Sequence, residues 1–167
     1  MQVAVICRLW TAAATAKQEK DFDLKTTAKE IMTTPVISVR PDTKLDEVMG
    51  LLLQHQVSGM PVVDENDRLV GVITELDMLK LLFDTMQIEH GQVSDYLTSK
   101  VVTIDEEDSL IDVAEVFMHH TIRRVPIMRG DKVVGIISRR DVIRCIRDIR
   151  KLVTKEWRDS HAANAPL

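Results

Sequence analysis

One supersecondary unit occurs twice along this chain, and that repetition limits what it can fold into more than any other feature. Val39-Arg40-Pro41-Asp42-Thr43-Lys44-Leu45 lies over Ile104-Asp105-Glu106-Glu107-Asp108-Ser109-Leu110 at an offset of 65. At the same offset Leu45, Val48, Met49 and Leu52 fall on Leu110, Val113, Ala114 and Phe117, and Pro61 falls on Pro126. One deletion in the intervening turn changes the offset to 64. Leu69-Val70-Gly71-Val72-Ile73-Thr74 then meets Val133-Val134-Gly135-Ile136-Ile137-Ser138, and Asp77 meets Asp141.

Both copies carry one pattern of elements. A short helix precedes an extended segment: Ala28 to Met32 before Val36 to Val39, and Val93 to Leu97 before Val101 to Ile104. Apolar residues at helical spacing predict amphipathic helices over Lys44 to His55 and Ser109 to His119, with Thr43 and Asp108 at the N-cap positions. The apolar runs Met60 to Val63 and Arg68 to Ile73 flank a polar turn, as do Val125 to Met128 and Lys132 to Ile137, and both pairs read as hairpins. Pro61 and Pro126 are expected to fix the strand starts and to withhold a ladder hydrogen bond there. A closing helix follows each hairpin, Glu75 to Phe83 and Arg139 to about Trp157.

A unit this small buries too little apolar surface to stand alone, so the two copies are expected to pack sheet against sheet. The fold class is α+β with α/β-type repeats. The chain divides into an N-terminal segment (1–25), a first repeat (26–83), a connector (84–92), a second repeat (93–150) and a C-terminal helix end and tail (151–167).

Composition excludes several function classes. With 45% hydrophobic and 29% charged residues the chain has the make-up of a soluble globular protein, and 4% aromatics are too few for a base-stacking platform. A net charge of -4 gives no overall attraction to nucleic acid or to an anionic membrane. From Ser138 to Arg158, however, eight Lys/Arg oppose three acids, which reads either as a solvated helix face or as a surface for an acidic partner. Cys7 and Cys145 have neither disulfide-framework nor zinc-site spacing, which fits a reducing compartment. Met1 to Lys17 is apolar with small residues but lacks a basic start and is interrupted by Arg8. It reads as an ordinary strand or helix on the module's edge. No apolar run approaches the roughly 20 residues of a membrane helix, so the expected location is the cytoplasm. His119 and His120 are neighbours on a helix, point in different directions and lack a third ligand, so no metal site is expected. No phosphate-binding Gly-Lys loop, Ser-His-Asp set or activated cysteine appears, leaving no carrier for catalysis.

Three segments then resemble the successive signatures of a CBS domain: Ile31-Met32-Thr33-Thr34-Pro35, Val57-Ser58-Gly59-Met60-Pro61-Val62-Val63 and Gly71-Val72-Ile73-Thr74-Glu75-Leu76-Asp77. The second copy repeats the last two as Ile122-Arg123-Arg124-Val125-Pro126-Ile127 and Gly135-Ile136-Ile137-Ser138-Arg139-Arg140-Asp141, while Tyr96-Leu97-Thr98-Ser99-Lys100 departs from the first. The resemblance spans residues 26 to about 148. It implies a tandem CBS module, or Bateman module, of the stand-alone two-repeat type: two βαββα repeats packed sheet to sheet in one pseudo-symmetric body. It further implies a homodimer, a regulatory role, and clefts between the repeats that take AMP, ADP, ATP or S-adenosylmethionine as a regulatory ligand, with no catalytic cofactor.

Carried onto this chain, the resemblance implies one cleft with Ser138 and Asp141 opposite Thr34, Val36, Ser58 and Met60. The other has Thr74 and Asp77 opposite Lys100, Val102, Arg123 and Val125. A hydroxyl and a carboxylate three residues apart at a helix start suit a ribose, but they suit plain helix capping equally well. Arg124 is the best phosphate ligand because a planar guanidinium can hold two phosphate oxygens, with Arg123 or Arg140 assisting. Two functions remain open on these grounds. One is a non-catalytic sensor of an adenosine-containing ligand that controls a partner in trans. The other is a ligand-free dimerisation or scaffold protein that binds its partner through the basic C-terminal helix.

Overall fold

The computed structural model of the chain describes residues 26–83 and 91–162, with side chains through residue 151. The expected edge element before residue 26, Cys7, most of the connector and the side chains of the C-terminal helix end beyond residue 151 lie outside the described residues. In chain order the elements are α1 (Ala28–Ile31), α2 (Leu45–Gln54), β1 (Gly59–Val63), β2 (Leu69–Thr74) and α3 (Glu75–Lys80). They recur as α4 (Val93–Tyr96), β3 (Ile104–Asp105), α5 (Leu110–His119), β4 (Arg124–Arg129), β5 (Lys132–Ser138) and α6 (Arg139–Ala162).

The two hairpins form where the apolar runs flank polar turns. β1 pairs antiparallel with β2 from Gly59↔Thr74 to Val63↔Leu69, and β4 with β5 from Arg124↔Ser138 to Arg129↔Lys132, each with one register shift. A parallel segment borders each hairpin, as β3 beside β4 and, in the first repeat, as a single bridge between Val39 and Val62. The extended segments are therefore shorter than the sequence predicts, and the prolines explain why. Pro61 and Pro126 are the third residues of β1 and β4, not their first. The Pro61 carbonyl accepts from the Val39 N–H at 3.1 Å, and a residue's N–H and C=O share one edge of a strand. With no N–H to offer on that edge, each proline ends the parallel pairing.

The helix caps also shift by one residue. Lys44 and Ser109, not Thr43 and Asp108, precede the first helical turns of α2 and α5. Ser109 caps through its hydroxyl, which donates to Asp112 at 2.5 Å and accepts from the Asp112 N–H at 3.3 Å. Thr43 and Asp108 instead close the preceding turn, accepting from the Arg40 and Asp105 N–H groups at 3.0 and 2.9 Å.

The short leading helices are exchanged between the repeats. Ala28 of α1 is fully buried in the core of the second repeat beside Ile104, Val113, Val125, Ile127 and Ile137, and its N–H donates to Asp108 O at 2.8 Å. Val93 of α4 is fully buried in the first repeat's core beside Leu45, Val48, Val62 and Ile73, and its N–H donates to Thr43 O at 3.0 Å. The bridges follow the same symmetry. Thr33↔Ile136 mirrors Val72↔Thr98, Thr27↔Ser109 mirrors Lys44↔Gln92, and Arg68↔Lys132 is its own mirror image, placing a pseudo-twofold axis between the two hairpin turns. Arg68 and Asp131 form an ion pair of 2.7 Å at that point. Among the described residues no helix is long and apolar enough to cross a membrane.

A composite cleft as candidate functional site

Backbone closure places the site. Where each hairpin runs into its closing helix, the first helical N–H returns to the residue before the hairpin's first strand: Glu75 N–H to Ser58 O at 3.1 Å, and Arg139 N–H to Arg123 O at 3.3 Å. These two equivalent corners face each other across the pseudo-twofold axis, and a cleft of about 380 Å³ opens between them. That volume is within the range of small-molecule sites.

The first repeat contributes Ser58, Gly59, Met60 and Pro61 from one strand and Val72, Thr74, Glu75 and Leu76 from the next strand and helix start. The second contributes Thr121, Ile122, Arg123, Arg124, Pro126 and Ile136. A smaller hollow of about 60 Å³ continues from it, lined by Val36, Ile37, Val57, Pro35 and Thr33, with Gly59, Pro61, Arg124 and Ile136 forming the shared wall. The chemistry is an apolar slot with cations at one side. Arg124 is half-buried and its Nε donates to Ser58 Oγ at 3.3 Å. Burial pushes its guanidinium below the ordinary value, and Arg123 and Arg140 push the same way, while Asp141 and Glu75 oppose the shift. A guanidinium held in that environment gains from an anionic ligand that relieves its desolvation. Arg123 is exposed and pairs with Glu75 across the cleft at 2.8 Å.

The sequence-derived site residues divide into three groups. Ser58, Met60, Thr74, Arg123 and Arg124 come together in the main cleft, and Val36 lines the smaller hollow. Ser58 and Met60 line the same main cleft as Thr74 and Arg123, and Arg124 borders both that cleft and the smaller hollow. Thr34, Lys100, Val102 and Arg140 line neither cavity, and Val125 gives its side chain to the core of the second repeat.

The third group comprises the hydroxyl–carboxylate pairs. Thr74 Oγ1 donates to Asp77 Oδ2 at 2.6 Å, and Lys80 Nζ lies 2.6 Å from Asp77 Oδ1. Ser138 Oγ donates to Asp141 Oδ2 at 2.6 Å, and Arg144 Nη1 lies 2.9 Å from Asp141 Oδ1. Each carboxylate thus caps its own helix and neutralises a cation one turn on. With both positions of Oδ2 taken by the cap, a ribose hydroxyl reaching either one would bond to Oδ1 beside the cation. Asp77 is the more enclosed, 3% exposed.

Glu75, Leu76, Thr121 and Ile122 line the cleft and were not singled out from the sequence. Thr121-Ile122 are the repeat equivalents of Gln56-Val57, directly ahead of the matched strand signature, so the repeat itself carried the signal. Cys145 is a free thiol whose ionisation burial pushes up, which leaves it a poor nucleophile. Among the described residues no group of three or more His, Cys, Asp or Glu is arranged to hold a metal ion.

Comparison with known proteins agrees with this geometry. The CBS domain family profile matches residues 28–84 and again 93–148. The uncharacterized protein MJ1225 of Methanocaldococcus jannaschii is 30% identical over 147 residues, which cover 87% of this chain and 50% of that protein. The chain therefore spans half the length of that relative. Among solved structures, CBSX2 of Arabidopsis thaliana in complex with AMP matches at a TM-score of 0.68 and 30% identity, covering 75% of this chain and 98% of CBSX2. The CBS domain pair of protein MJ0100, solved with 5′-methylthioadenosine and S-adenosyl-L-methionine, matches at a TM-score of 0.66 and 28% identity over 74% of this chain and 97% of that one. The family profile matches both repeats and more than half of the residues, so the chain belongs to the CBS-domain family as a tandem pair.

Proposed function

We propose that the protein is a non-catalytic regulatory module that binds an adenosine-containing ligand in the cleft between its two repeats and transmits occupancy to a separate partner protein. The carrying observation is the cleft itself: about 380 Å³, built from both repeats, apolar along Val72, Ile122 and Ile136, and bordered by the partly desolvated Arg124. An adenine ring suits the apolar slot, and a ribose suits the Thr74 end. Arg124, assisted by Arg123, suits a phosphate. Two CBS pairs at 28–30% identity were solved with adenosyl ligands, which supports the same ligand class here. Because the walls come from both repeats, a bound ligand favours one relative arrangement of them, and that preference is what a partner reads.

The closing helices supply the surface for self-association. Leu79 and Leu82 lie on α3 and on the turn that follows it, Ile143 and Ile146 are their repeat equivalents on α6, and all four are exposed together with Phe83, which is 91% exposed. An apolar face repeated by the pseudo-twofold suits an isologous homodimer in a reducing, cytoplasmic setting.

Titration calorimetry on the full chain tests the site. Arg124→Ala is expected to weaken AMP binding about tenfold or more, the scale of a lost charge-assisted hydrogen bond, with an unchanged circular-dichroism spectrum. Asp77→Asn, which keeps a cap acceptor beside Thr74, separates the ribose role from the capping role. Weakened AMP binding with unchanged stability supports ribose contact, and unchanged affinity leaves Asp77 a capping residue. Unchanged affinity in both variants overturns the site assignment.

A further inference from the structure

The Arg123–Glu75 pair joins residues 48 positions apart, one from each repeat, and both side chains line the cleft. The fold does not require it. The pseudo-twofold carries Glu75 onto Arg139 and Arg123 onto Ser58, so the symmetry-related corner holds a serine and an arginine and no ion pair of this kind. Both partners are more than half exposed, so the pair adds little to folding, a surface bridge of this type being worth about 1 kcal/mol or less. Its position is what distinguishes it, because Glu75 occupies one of the two cations that an anionic ligand needs. Arg124, the other, has Ser58 Oγ as its hydrogen-bond partner and forms an ion pair with no carboxylate among the described residues.

We infer that Glu75 is a specificity-determining residue that sets which ligand charge the cleft accepts, an inference that rests on the adenosine-sensor reading. A phosphorylated ligand competes with Glu75 for Arg123 and approaches a carboxylate in doing so. An uncharged adenosine ligand leaves the pair in place and meets neither penalty. Glu75 therefore lowers the negative charge that the cleft favours below what Arg123 and Arg124 alone would draw. Displacing Arg123 also undoes a contact between the repeats, which a neutral ligand does not.

The test is calorimetric titration of AMP and of adenosine into the full chain, as wild type, Glu75→Gln, Arg123→Gln and the double variant. Glu75→Gln is expected to tighten AMP about threefold to fivefold, the equivalent of one surface ion pair, and to leave adenosine within about twofold. In the Arg123→Gln background the same change is expected to give AMP less than half of that gain. A Glu75→Gln variant that does not tighten AMP, or that shifts adenosine by the same factor, overturns the selector role while leaving the sensor reading intact. Wild-type protein and Glu75→Gln that bind neither AMP nor adenosine overturn the sensor reading and the selector role together.

Discussion

Gly71 and Gly135 occupy equivalent places in β2 and β5, and each is where the other repeat's leading segment crosses a strand. A Cβ at Gly71 would stand 2.6 Å from Leu97 Cδ1 and 2.8 Å from the Thr98 carbonyl oxygen, and one at Gly135 would stand 2.2 Å from Met32 Sδ. Gly50, in the exposed middle of α2, has nothing within 4 Å of such an atom. Gly71→Ala and Gly135→Ala should each cost about 1–3 kcal/mol in urea unfolding, whereas Gly50→Ala should stabilise by about 0.5–1 kcal/mol. Loss of stability at Gly50, or none at Gly71, would contradict the packing described. Both crossing glycines are visible in the sequence as matched motif positions. The contact that requires them is not, because Met32 and Leu97 lie some 100 and 30 residues away along the chain.

At the level of elements, local signals were legible and exchanged ones were not. The hairpins and the amphipathic helices follow from periodicity and turn residues that act within one segment. The caps moved by one residue because Thr43 and Asp108 satisfy the preceding turn, a competing use of the same side-chain chemistry. Nothing in either short helix told which repeat's core it would enter. The turn after β3 carries a testable ion pair. Glu106, 6% exposed, is held by Arg129, whose Nη2 lies 2.7 Å from Oε2. The hydrogen bond from Arg129 lowers the Glu106 pKa against the opposing effect of burial, with Arg129 and Lys29 charges helping. A lowered folded-state value means that stabilisation is present above the ordinary value of 4.5 and is lost as pH falls through the lower one. The urea midpoint should therefore hold from neutral pH down to about 4.5 and decline below it. Glu106→Gln should lower the midpoint at neutral pH and flatten the acid decline. An equally steep acid decline in the variant would assign it to other carboxylates.

For the whole molecule, two expectations concern association and signal. Leu79→Lys with Ile143→Lys places charges on both halves of the exposed apolar face and should shift sedimentation from dimer toward monomer without unfolding the chain. A wild-type monomer at tens of micromolar would remove that role from the face. The candidate site was legible to the extent that it follows the repeat: Ser58, Met60, Thr74, Arg123 and Arg124 meet in one cleft. Which residues would share a wall was not, because that depends on how the hairpins approach the pseudo-twofold axis, a relation between repeats that neither one encodes alone. The most direct test of the central claim is a thermal-shift panel of AMP, ADP, ATP, S-adenosylmethionine and GTP at millimolar concentration. A ligand present at about 100 times its Kd adds about 2.7 kcal/mol to the native state, enough to raise Tm by several degrees. The account predicts such a rise with at least one adenosine ligand and none with GTP; no rise with any adenosine ligand, or an equal rise with GTP, would contradict it.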